Sequence, residues 1–399
     1  MKYSLLPLLL LLQPIPSLTY TPLSDQSLRY ITPSHSHASS QTIDPDFDPT
    51  HGSLLAPILR PRVPGTEGHA LVQEHFAAFV RDHLHPSWQV EWHNTTATTP
   101  ATGNQPVPFR NLILRRDPPW RSGKDSAKTD AGNVARLTLA AHYDSLYQPE
   151  GFIGAVDSAV PCALLLHVAR AVDEALTRKW EHGRGTGDDG LEDDEEADKG
   201  VQILLLDGEE AWVKWTDQDS LYGSRALAET WENTAYETGS RFSTPLEAIS
   251  LFVLLDLLGA PEPTIPSYFP KTHRAYRDLG KVEARLRKLG LLETKPRAPF
   301  LGDTDKTRVQ FQGYILDDHI PFLRRGVDVL HIIPTPFPKV WHTMDDDADH
   351  LDLPTIRDWA RIMTAFVAEW MDLEGYLGDS GTVLQPVSVG GVGGGRDEL

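Results

Sequence analysis

From residue 134 onward the chain alternates between apolar runs of strand length and stripes of helical period. VARLTLAAHYDS (134–145), VQILLLDGEE (201–210), AISLFVLLDLLG (248–259) and VDVLHIIP (327–334) are near-continuous apolar runs. Strands of that kind are buried on both faces, as inside a parallel sheet. Between them stand amphipathic stretches. In AVPCALLLHVARAVDEAL (159–176), Val160, Leu164, Val168, Val172 and Leu176 fall near one stripe, which predicts a helix. SLYGSRALAETWE (220–232), KVEARLRKLGLL (281–292) and LPTIRDWARIMTAFVAEWM (353–371) read as helices too. Upstream, HALVQEHFAAFVRDHL (69–84) has helical spacing, while WQVEW (88–92) and NLILRR (111–116) predict strands. Strands alternating with helices predict an α/β fold: a mostly parallel central sheet covered by helices on both faces. No internal repeat is visible.

The length, 399 residues of which 40% are hydrophobic, accommodates one large core. We expect a signal peptide over 1–20, an irregular arm rich in Ser, Thr, Pro and His over 21–64, and a catalytic domain over 65–376. A Gly-rich tail follows over 377–399. MKYSLLPLLLLL at the start has a lysine and a short leucine run, as secretory signals do. The last residues, RDEL, are close to the Lys-Asp-Glu-Leu type of signal read by an endoplasmic reticulum retention receptor. The two together predict the endoplasmic reticulum lumen; secretion is the alternative. NTT at Asn94 is a glycosylation sequon usable there. No later segment is apolar enough to predict a membrane span.

The net charge of −19 argues against nucleic acid as a partner. Much of the excess sits in GDDGLEDDEEAD (187–198), within a loop expected over 183–199. It reads as a solvated loop, since it lacks the spaced acids and glycine of a calcium loop. The lone cysteine, Cys162, excludes an internal disulfide and reads as a small core residue at a helix start.

Ligands of open α/β sheets bind beyond the carboxyl ends of the strands. Polar residues recur there. The first strand of the regular part ends at His142 and Asp144, and Asp157 opens the next helix. Glu209 and Glu210 end the second, Asp256 the third, and His342 follows the fourth. Imidazole with carboxylates is zinc chemistry rather than soft-metal chemistry. A zinc ion would offset the cost of burying Glu210, while Glu209, from the same turn, can stay unligated and move protons.

Five segments carry a resemblance: AAHYDS, GAVDSAVPCALLL, LLLDGEEAWVKWTDQDSLYGSRALA, LLDLLGAPEPTIPSYFP and DDHIPFLRRGVDVLHIIPTPFPKVWHTMDDD. They resemble the glutaminyl-peptide cyclotransferases, or glutaminyl cyclases, from about Phe79 to Trp370. The resemblance implies a mixed, mostly parallel sheet in an α/β/α sandwich like that of M28-type zinc aminopeptidases. It implies conversion of N-terminal Gln of peptides and proteins to pyroglutamate with release of ammonia, with one Zn2+ per chain. By motif, Asp157, Glu210 and His342 are the zinc ligands and Glu209 the general acid/base. Asp256 and Asp317 are further catalytic carboxylates, hydrogen-bonded to each other. Trp215, on a helix face, Phe337 and Trp341 form the substrate pocket, and His319 supports the site. A monomer is expected.

Two positions depart from the family. Vertebrate members join the positions of Ala141 and Cys162 by a disulfide, and a Gln stands where this chain has Leu316. The rival reading is an M28-type zinc aminopeptidase, for which His142, Asp157, Glu210, Asp256 and His342 supply all five ligand types. Ligand inventory leaves one zinc or two open; DDHIPFLRRG and FPKVWHTMDD favour the cyclase.

Overall fold

Every residue of the strand Lys199–Leu206 is buried, and its side chains divide by parity. Val201, Ile203 and Leu205 join one apolar cluster; Leu204 and Leu206 join another on the opposite face. The computed structural model describes residues 20–32, 44–122, 130–185, 198–307, 309 and 315–378. In it the strands are β1 (Gln89–Thr98), β2 (Pro106–Arg116), β3 (Ala135–His142), β4 (Lys199–Leu206), β5 (Ile249–Leu255) and β6 (Val329–Ile332). Their order is β1-β2-β4-β3-β5-β6. β4, β3, β5 and β6 run parallel, and β2 and β1 complete the sheet antiparallel. The sheet is therefore mixed and mostly parallel, as expected.

The helices are α1 (Asp25–Ile31), α2 (Glu67–His83), α3 (Pro119–Ser122), α4 (Val160–Gly185), α5 (Tyr222–Glu232), α6 (His273–Lys288), α7 (Ile320–Leu323) and α8 (Leu353–Trp370). Residues of α2, α4, α6 and α8 share the larger cluster; α5 and α7 cover the other face. α4 is long and apolar enough to cross a membrane, but it is a core helix, with Leu164, Leu165, Val168 and Val172 buried against the sheet and α8.

Three expectations are corrected. The arm read as irregular contains α1, capped by Ser24 and seated on α8 through Leu28. Residues 44–62 are not loose either: Phe47, Leu54, Leu55 and Ile58 lie in the main core, and Asp46 binds His167 (2.8 Å) and Arg170 (2.5 Å) of α4. α6 begins at His273, ahead of the predicted 281, because Tyr276 and Leu279 extend the stripe of Val282 and Leu286 through charged neighbours. Trp215 stands in the loop between β4 and α5, not on a helix. The signal peptide, most of the acidic loop and the RDEL tail lie outside the described residues.

Candidate active site

The two glutamates are aimed by their backbone. β4 ends at Leu206, and Gly208 turns the chain with φ +75°. A side chain there would also strike the Phe109 ring, whose nearest atom would lie 2.4 Å from its Cβ. Glycine is the residue that fits both demands. Beyond the turn, the Asp144 carboxylate accepts the backbone N–H groups of Glu209 and Glu210, each at 3.1 Å. Burial alone would raise Asp144, but the hydrogen bond and charge of His142 hold it below its ordinary range. An ionised Asp144 therefore anchors the turn.

The loop before α4 brings in Asp157. Gly154, at φ +61°, leaves no room for a Cβ, which would lie 2.1 Å from the Asp157 carbonyl oxygen. His342 arrives from the loop after β6, itself in the left-handed region at φ +55°, uncommon for a residue with a Cβ. His342 Nε2 lies 3.4 Å from Asp157 Oδ2 and 3.8 Å from Glu210 Oε2. One donor atom of each lies within 4.8 Å of the others. Bonds of about 2.0–2.2 Å to a tetrahedral ion place neighbouring ligand atoms about 3.3–3.6 Å apart, so the spacing fits zinc. Glu210 Oε1 is buried without a hydrogen-bond partner. Burial, then the neighbouring Asp157 charge, push Glu210 well above its ordinary range. A cation between the three would remove that cost.

A second grouping, His142, Asp157 and Asp256, shares Asp157 with the first. There the donors already engage one another: His142 Nε2 is 3.0 Å from Asp157 Oδ1 and 3.6 Å from Asp256 Oδ1. A third grouping, Asp317, His319 and His331, is likewise closed by a hydrogen bond of 2.7 Å between His331 Nε2 and Asp317 Oδ2.

Asp317 lies close enough to act electrostatically on both Glu209 and Asp256. The resemblance implies a direct bond between the carboxyls of Asp256 and Asp317; here other donors fix each. Ser158 Oγ and the Leu257 N–H donate to Asp256 Oδ1, the latter at 2.8 Å. His331 and the Asp318 N–H fix Asp317. Burial, then the Asp317 charge, raise Asp256. Glu209 is raised well above the ordinary range by burial, with Glu210, Asp317 and Asp318 adding to it against the pull of His142. His319, fully buried against Phe269 and His331, is held well below its usual value by burial and then by His331. It is therefore neutral.

Aromatic walls stand on the His342 side. Trp341 stacks on His342 at 4.0 Å and meets Phe337 edge-on at 4.7 Å, remaining 38% exposed. Trp215 is half-buried in the loop leaving Glu210. Leu316, beside Asp317, is exposed. Cys162 Sγ donates to the His142 carbonyl at 3.0 Å, and burial pushes the thiol up to about 12. It is an inert packing residue, as expected.

Several residues here escaped the reading of the sequence. Arg62 is the foremost. Fully buried, it donates to the carbonyls of Ile153, Gly154 (2.9 Å) and Asp157 (3.1 Å), the loop that presents a candidate ligand. Ser158 and His331, which hold the two aspartates, are the others. A serine beside an acid in GAVDSAVP was the one visible signal.

Residues 126–367 match Peptidase family M28. The chain is 42% identical over 324 residues to the glutaminyl-peptide cyclotransferase-like protein of Bos taurus, covering 80% of this chain and 75% of that one. To the glutaminyl-peptide cyclotransferase of Bos taurus it is 40% identical over 328 residues, covering 80% and 81%. Its fold is similar to the crystal structure of Macrostomum lignano glutaminyl cyclase, with a TM-score of 0.66, 30% identity, and coverage of 88% and 94%.

Proposed function

The chain belongs to the glutaminyl-peptide cyclotransferase family, within peptidase family M28, and from that premise we propose how its own residues carry the reaction. The activity is cyclisation of an N-terminal glutamine to pyroglutamate with release of ammonia. Asp157, Glu210 and His342 hold one Zn2+ per chain. The observation that carries this is the convergence of one donor atom from each of the three, with Glu210 Oε1 buried and idle. One ion rather than two is supported by His142, whose Nε2 is engaged by Asp157 where a second ion would need both atoms free.

A bound zinc ion supplies a Lewis acid for the γ-carboxamide. The rest falls to side chains. Trp215, Phe337 and Trp341 hold the glutamine folded, so that its α-amine faces the carbonyl carbon of its own γ-carboxamide. Attack within one residue needs no second reactant, which contributes much of the rate. The new N–C bond forms as the bond to the amide nitrogen breaks. Glu209 takes a proton from the amine and delivers it to the departing nitrogen, which leaves as ammonia. Asp256 and Asp317 face the amine as further carboxylates, each held in place by its own donors. His319, neutral and buried, supports the floor. The same aromatic walls exclude water as a competing nucleophile.

The test is direct. Peptides beginning with Gln, Glu and Leu are incubated with the protein, with and without a chelator. We expect ammonia from the Gln peptide, an intact Leu peptide, and loss of activity on chelation. Metal analysis should give close to one zinc per chain. Free leucine, with near two zincs, would instead indicate the aminopeptidase.

We also propose residence in the endoplasmic reticulum lumen, supported by the leucine-rich start and the RDEL end. Asn94, in its sequon, is exposed on β1. Deleting the last four residues should send the protein into the medium; unchanged retention would exclude the signal.

A further inference from the structure

Beside the metal centre lies a groove of about 740 Å3, within the range of pockets that take a drug-sized ligand. The arm turn at 61–68, the tip of the β1–β2 hairpin and the loop 146–151 wall it. Trp212 forms the floor. It stacks on Tyr147 at 4.8 Å and packs with Val107, Phe109 and Tyr222 in an apolar cluster of its own. The floor is fixed from behind, because Asp219 accepts the N–H groups of Trp212, Val213 and Lys214 at 3.0, 2.9 and 2.9 Å. Tyr147 is 40% exposed, so part of its ring is open to a ligand.

The walls of the groove adjoin the loops that carry the site. Trp212 follows Glu210 by two residues. The loop 146–151 meets the loop of His342: a Cβ on Gly151 would lie 3.9 Å from Met344 Cε, and Phe152 sits edge-on to His342 at 6.4 Å. A peptide whose first residue occupies the metal centre must lead its remaining chain across a neighbouring surface. The groove also has a sign: the exposed carboxylates Glu67 and Glu150 line it, and no Lys or Arg is among its described lining residues.

We propose that this groove binds the residues downstream of the N-terminal glutamine and favours substrates carrying Lys or Arg beyond the second position, their stems lying on Tyr147. The inference rests on the cyclase reading above. Two exposed carboxylates against bound cations set a modest, salt-sensitive scale.

The experiment compares kcat/KM on Gln-Phe-amide, Gln-Phe-Ala-Lys-Lys-amide and Gln-Phe-Ala-Glu-Glu-amide. At low salt the lysine peptide should exceed the glutamate peptide by about fivefold, and about 0.5 M salt should narrow the gap. In Glu67→Gln/Glu150→Gln the ratio should fall towards one, with the dipeptide amide as internal reference. The overall charge of −19 stays nearly intact in that variant, so a general field predicts little change. Glu67 lies in the first turn of α2, so Glu150→Gln alone provides a second variant that spares the helix. A wild-type ratio of one, a ratio untouched by either variant, or an equal loss on the dipeptide amide overturns the groove. Failure to cyclise any of the three by zinc-loaded wild type overturns the cyclase reading and the groove with it.

Discussion

Glu209→Gln is expected to lower kcat on a Gln peptide by about a thousandfold while zinc per chain stays at the wild-type level. The amide keeps the volume and a hydrogen-bonding oxygen but cannot take a proton from the amine and return it to the leaving nitrogen. The environment fits a proton carrier. Burial raises Glu209, and the charges of Asp317 and Asp318 add to it even when an ion neutralises Glu210. A carboxyl raised towards neutrality exchanges protons at working pH with little driving-force penalty. The sign follows: the base form is lost as the pH falls through the raised value. The acid limb of kcat/KM should therefore lie above about 4.3, the ordinary glutamate value. Glu210→Gln should behave oppositely and lose the ion, since Glu210 Oε1 has no protein partner to keep it buried without one. Should metal analysis find Glu209→Gln depleted of zinc and Glu210→Gln replete, the two neighbours have been assigned the wrong way round.

The separation proposed for these two roles depends on Asp144. Its carboxylate holds both backbone N–H groups, so the side chains of consecutive residues leave the turn in different directions from one rigid base. The identities of Glu209 and Glu210 were legible in the sequence because each follows a continuous apolar strand. Asp157 and His342 were legible for the same reason, as polar residues in Gly- and Pro-rich loops just beyond strand ends. Local periodicity reports which face of an element is buried, and it placed every strand and most helices. It reports nothing about partners distant in sequence. His331 sits within an apolar strand and looked like part of the core, yet it fixes Asp317. Trp215 follows Glu210 in a stretch with helical composition, but Asp219 ties 212–214 into a bent loop instead. The first half of α6 is so charged that its stripe was hidden. Arg62, in RPRVPG, read as one more polar residue of an irregular arm.

Arg62→Met is expected to weaken zinc binding by about 10- to 100-fold, the usual cost of removing an outer partner of a metal ligand. The guanidinium is fully buried and donates to three carbonyls of one loop, the last belonging to Asp157 itself. Asp144, Asp157 and Asp346 lie close enough to offset its charge. Methionine keeps the stem and removes every donor, taking a partner from each of three carbonyls; Gly154 keeps the Ala159 N–H at 3.3 Å, and a buried carbonyl left with none costs about 1–3 kcal/mol. The loop relieves that cost by moving or admitting water, and either displaces Asp157 from Glu210 and His342. Arg62→Lys should fall between, because one ammonium replaces part of the fork but cannot span all three oxygens. Two measurements separate positioning from plain stability: competition for zinc against a chelator of known affinity, and Tm of the metal-free protein. A positioning role requires that zinc affinity fall in folded Arg62→Met and recover partly in Arg62→Lys. A lower metal-free Tm with unchanged zinc affinity would reduce Arg62 to a core residue. The arm would then act only as a cover for the sheet rather than as the part of the chain that sets the metal loop.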